Sequence, residues 1–247
     1  MKAKLHLQPL SLWQTVAFFG APWLLFMAAI YLLLPALDRD GVPLFLNFLL
    51  CLGGPLALLL IATGVAYQWE RRSWTWTAFR SRFRLEAMSI TVWLWTLALS
   101  VFMILSSSLL SFTAAWLQQI APLPAPLVRM FDLQPAAFMG APLAGAWWLW
   151  VGYLVYVLLN VFGEELWWRG YILPRQEAAL GQWAWVVHGF CWTLFHTFFY
   201  WELLLLLPGC LALAFVASKC KNTWPGIIAH FAYNVPSLVF IVIGVLR

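Results

Sequence analysis

Apolar runs long enough to cross a bilayer recur along this whole chain, and that constrains its fold more than any single motif. Of its 247 residues 64% are apolar and 9% charged, too little charge to cover a soluble domain of this size. The runs place spans at about 13–37, 43–68, 88–117, 146–175, 183–200, 202–218 and 224–246. The expected fold is therefore an all-α polytopic membrane protein, a bundle of about seven to eight transmembrane helices. One integral membrane domain should occupy 1–247, with a motif-bearing core at about 146–246. The start, MKAKLHLQPLSLW, lacks a small-residue cleavage site before a long span and reads as an uncleaved first helix.

Charge supplies an orientation. With the N-terminus cytoplasmic, Lys2, Lys4, the five arginines of 71–84, Arg169, Arg175, Lys219 and Lys221 face inward, and only Arg39, Arg129 and Arg247 face outward. That asymmetry follows the positive-inside rule. No basic stripe interleaves with aromatics as a single-strand platform would need, so the lipid bilayer and not nucleic acid is the expected partner. The 18 tryptophans suit interfacial belts or helix packing. Cys51, Cys191, Cys210 and Cys220 have no metal-type spacing and read as small core residues. Residues 70–86, basic and aromatic, read as an amphipathic segment on the headgroups or as a plain cytoplasmic loop. Residues 118–142 hold too many prolines for a simple helix and read as an outer loop.

Ionisable groups at membrane depth are expensive and normally face a bundle interior or a wet cavity. Within the apolar runs these are Glu164, Glu165, Arg169, His188, His196 and His230, joined by the amides Asn160 and Asn234. Glu165 and Arg169 are i,i+4 neighbours on a helix and can pair, while Glu164 is turned about 100° away. Trp192 shares a face with His196, as His230 does with Asn234. Measured from the basic helix ends, Glu164, His196 and His230 lie roughly 16, 21 and 14 Å deep, so a common level in the inner half is reachable. His188 reads as a core histidine, His6 as a bystander and Glu202 as an outer-interface residue.

Glu-Glu-x-x-x-Arg, aromatic-x-x-x-His and His-x-x-x-Asn, in that order on successive helices, resemble the CPBP family. This is the CAAX-protease and bacteriocin-processing (Abi) group, whose best-known members are the Rce1-type prenyl-protein endopeptidases. The resemblance covers about 160–235, and it departs at Trp192, where the family usually has Phe. It implies an intramembrane endopeptidase acting on a membrane-anchored or lipidated protein. Glu164 would be the catalytic carboxylate activating water, a role that suits a desolvated carboxylate. His196 and Asn234 would donate to the oxyanion, and His230 would orient the water or protonate the leaving amine. Glu165 and Arg169 would be a supporting pair, and Trp192 an apolar wall. The resemblance also admits zinc on Glu164, His196 and His230; the absence of HExxH favours a metal-free site with no cofactor. A transporter or proton relay using the same residues, and a catalytically silent scaffold or immunity-type protein, are the competing readings.

Overall fold

The structure is a computed structural model describing residues 7–124, 126 and 133–247. Lys2, Lys4, His6 and Arg129 lie outside the described residues. Helix α1 (Leu12–Ala28) opens on a capping box between Ser11 and Gln14 and continues through a π-helical stretch, Ala29–Leu33, into α2 (Leu34–Arg39). Helix α3 (Leu44–Phe48), a second π stretch (Leu49–Gly53) and α4 (Gly54–Trp69) make the next rod. After short α5 (Trp76–Arg82) come α6 (Ile90–Leu110) and α7 (Phe112–Ile120). Then α8 (Trp147–Glu165), a third π stretch (Leu166–Ile172) and α9 (Leu173–Leu180) form one continuous rod. Helix α10 (Ala184–Phe195) passes into a 3₁₀ segment, His196–Glu202, before α11 (Leu203–Cys220) and α12 (Trp224–Val245).

The chain is an all-α polytopic membrane protein. Five stretches are long and apolar enough to cross a membrane, namely Leu12–Arg39, Leu44–Trp69, Ile90–Leu110, Trp147–Cys220 and Trp224–Val245. The fourth folds back on itself as three rods, so the expected span positions fall on the observed helices to within a few residues. Leu58, Ile61, Leu97 and Leu105 expose large apolar side chains outward, as a lipid-facing surface does. Helix α8 packs between α4 and α12, α6 lies against α11 and α12, and α10 lies against α11.

Two sequence expectations change. The span at 88–117 breaks at Ser111, because the hydroxyls of Ser111 and Thr113 take the carbonyls of Ser108 and Leu110 at 2.8 and 2.6 Å and compete with the helical ladder. The proline-rich loop at 118–142 begins inside α7 and contains a small antiparallel meander, β1 (Leu133–Gln134), β2 (Ala137–Phe138) and β3 (Ala141–Pro142).

Residues 70–86 are neither a free loop nor a segment resting on headgroups alone. Arg82 is buried and grips Glu70 bidentately at 2.6 and 2.7 Å, and Arg72 adds a bond to the same carboxylate at 2.8 Å. The third hand of Arg82 reaches across the fold. Pro174 has no N–H, so the Gly170 carbonyl four residues before it lacks its α-helical donor; Arg82 Nη1 donates to that oxygen at 3.0 Å. Thr223 ties the other end of the segment to α12 by donating to the Phe83 and Arg84 carbonyls at 2.6 and 2.8 Å. Trp74 and Trp76 remain exposed.

Burial raises the Glu70 carboxyl, but the Arg82 and Arg72 guanidinium groups outweigh it and hold it below its ordinary value of 4.5. The stability this lends is full above pH 4.5 and is lost as pH falls through the lowered value. Glu70→Gln should therefore cost about 1–3 kcal/mol in detergent melts at pH 7, the gap to wild type closing in acid. Coincident melts at pH 7 would show that the clamp is dispensable.

Candidate active site

The site forms where the C-terminal end of α8 meets the end of α10 and the first half of α12. Gly163 lets α8 approach α4 at this level: a Cβ there would lie 2.8 Å from the Leu56 carbonyl oxygen. The next two residues, Glu164 and Glu165, are both buried, and they have different partners. Glu164 accepts from Asn160 Nδ2 at 2.9 Å, one turn earlier on its own helix, and from the Trp192 indole Nε1 at 2.7 Å across from α10. Its Oε2 stands 3.9 Å from His196 Nε2. His196 Nδ1 lies 2.7 Å from the Trp192 carbonyl. A carbonyl can only accept, so Nδ1 carries the proton and the neutral ring turns its bare Nε2 toward Glu164.

Glu165 faces the other way. Its Oε1 accepts from Arg169 Nη1 and from His230 Nδ1, each at 3.0 Å. Glu165 ends α8 and Arg169 lies in the third π stretch, not one turn on along a regular α-helix as expected, yet the i,i+4 contact survives. The Arg169 guanidinium lies 3.5 Å from the centre of the Trp192 ring, a cation–π contact. Glu165 Oε2 has no donor and lies against Gly226, where a Cβ would collide with it.

Glu164, His196, His230 and Asn234 line one cavity of about 130 Å³, room for several waters. Asn160, Tyr156, Tyr233 and Glu202 contribute further polar groups to it. The Asn234 side chain donates one N–H to the His230 carbonyl at 3.0 Å, leaving its second N–H available.

Residues 146–236, a little over a third of the chain, match the family model of type II CAAX prenyl endopeptidase Rce1-like proteins. This segment resembles Rce1-like proteins. It contains every residue singled out by the three motifs. Comparison with curated proteins and with solved structures gave no match.

Within the Rce1-like segment the motif residues divide into two clusters, Glu164 with Trp192 and His196, and Glu165 with Arg169 and His230. Sequence spacing brings Glu165 and Arg169 together but not His230, which bonds to Glu165 from 65 positions away. Trp192 is more than an apolar wall: its indole N–H is a donor to Glu164 that the family's usual Phe cannot supply. His188 is a core residue, fully buried and bonded to the Gln176 side chain at 2.6 Å. Glu202 also lines the cavity; its place after the second motif gave no signal of this, because the direction of its side chain is set by the 3₁₀ turn at His196–Glu202. Tyr156 was findable, lying at i−8 from Glu164 on the same helical face.

Zinc on Glu164, His196 and His230 does not fit this arrangement. Among the described residues no three His, Cys, Asp or Glu side chains converge as a metal ion requires. Two N–H donors also occupy Glu164.

Trp192→Phe should lower kcat/KM about ten-fold through loss of the bond to Glu164; unchanged turnover would mean that bond is idle. Gly226→Ala should displace the Glu165 carboxylate and cost about 1–3 kcal/mol in thermal melts. A wild-type melting profile would show that Glu165 can move without cost.

Proposed function

We propose that this protein is an intramembrane endopeptidase that hydrolyses a peptide bond in a membrane-anchored or lipidated protein, using water activated by Glu164. The family of the matched segment supports a protease in general terms. The finer reading rests on one observation: a buried carboxylate and the bare nitrogen of His196 face each other across 3.9 Å at the wall of a water-sized cavity. That gap is too long for a direct hydrogen bond and suits a water donating to both.

In this scheme the water oxygen adds to the peptide carbonyl as Glu164 takes one of its protons. The free N–H of Asn234 donates to the oxyanion. His196 Nε2 can donate there only once its ring has gained a proton, since Nδ1 already holds one against the Trp192 carbonyl. Collapse breaks the C–N bond, and the proton held by Glu164 passes to the leaving nitrogen. Glu165 orients His230 and neutralises Arg169, which leaves Glu164 with its two neutral donors. The basic loops support a cytoplasmic N-terminus, with the site opening toward the cytoplasmic half of the bilayer.

The test is cleavage of anchored peptides by purified protein. Glu164→Gln should lose about 10³-fold in kcat with its melting temperature retained, and a strong zinc chelator should leave the wild type active. Inhibition by chelation would overturn the metal-free step. Absence of cleavage, with Glu164→Gln still complementing a deletion strain, would favour the silent scaffold.

A further inference from the structure

One end of the cavity is unused by the mechanism above. Glu202 closes the 3₁₀ turn that follows α10, and its side chain lines the same cavity as Glu164. Trp201, its neighbour on the same turn, is buried beside it. Among the described residues no Lys, Arg or His forms an ion pair with it, although four other acidic residues, Glu70, Glu86, Glu165 and Glu177, are paired. A withdrawn carboxylate without a cation is costly to keep, and a cationic ligand would offset that cost.

The walls point to the same kind of ligand. Phe26, Phe198 and Phe199 line the cavity together with Tyr156 and Tyr233. Phe26 stacks on Phe198 at 5.0 Å, and Phe199 meets Phe198 edge-on at 4.7 Å. Both tyrosines are within electrostatic reach of Glu202. Aromatic rings around one carboxylate are the chemistry that holds an ammonium or guanidinium group. Tyr156 is also within electrostatic reach of Glu164, and the helix rises about 12 Å between those two positions. That length equals three to four residues of extended peptide. A cavity of about 130 Å³ takes one long side chain.

We propose that Glu202 and these rings form a subsite for a basic side chain of the peptide substrate, in the cavity that Glu164 also lines. The inference rests on the endopeptidase reading and adds a substrate feature to it. Cationic recognition here is a matter of sequence preference, separate from the lipid or anchor that brings the substrate to the membrane.

The probes are membrane-anchored fluorogenic peptides with Lys, norleucine or Glu at each of four positions on either side of the cleaved bond. In wild-type protein, Lys at one of these positions should raise kcat/KM about ten-fold over norleucine, mainly through KM. In Glu202→Gln that ratio should fall to near one, and Glu202→Asp should keep part of it. Binding of the same peptides to Glu164→Gln, compared with Glu164→Gln/Glu202→Gln, should show the same contrast in Kd without turnover. A Lys preference absent from both wild-type turnover and Glu164→Gln binding, or surviving Glu202→Gln, overturns the subsite and leaves the endopeptidase reading standing. Lys-selective binding that depends on Glu202, in a protein that cleaves none of the peptides, supports the subsite and counts against the endopeptidase reading.

Discussion

Two adjacent carboxylates buried at membrane depth are the constraint on which this structure turns. Side by side and unpaired, Glu164 and Glu165 would repel each other in a medium that screens little. The fold separates them by the turn of the helix. Glu165 is given a full counter-charge in Arg169 and a second donor in His230. Glu164 receives only neutral donors, the Asn160 amide and the Trp192 indole. One carboxylate thus has a charged partner and the other only neutral ones.

Trp192 connects these two environments. Its ring face lies on the Arg169 guanidinium, its edge donates to Glu164, and its backbone carbonyl fixes the His196 tautomer. One residue thereby sets the position of a buried carboxylate, the orientation of an imidazole and the seat of a buried cation. Such contacts are strong where water is scarce, and they fail together if the residue moves.

The far end of the same rod is held by different chemistry. Pro174 leaves the Gly170 carbonyl short of a donor, and Arg82, fixed by Glu70, fills the place. Gly170 is itself close to Phe83, whose ring a Cβ would strike at 2.7 Å. The segment at 70–86 thus braces the π stretch that carries Arg169, and through it the Glu165 pair.

The sequence by itself determined the class of the molecule and the local parts of the site. Hydrophobic runs and the positions of charges are local properties, so the helices, the buried Glu165–Arg169 pair and the membrane-embedded character were legible before any coordinates. The short strands and the break at Ser111 were not, since they depend on competing hydroxyls and on how the loop folds back. Only the tertiary structure decided which histidine serves which carboxylate. Trp192 reaches Glu164 across 28 positions, His230 reaches Glu165 across 65 and Arg82 reaches Gly170 across 88. The inward turn of Glu202 is of the same kind. Helix periodicity says which residues share a face, but the rotation and crossing of one helix against another says which faces meet, and that is set by the packing of the whole bundle.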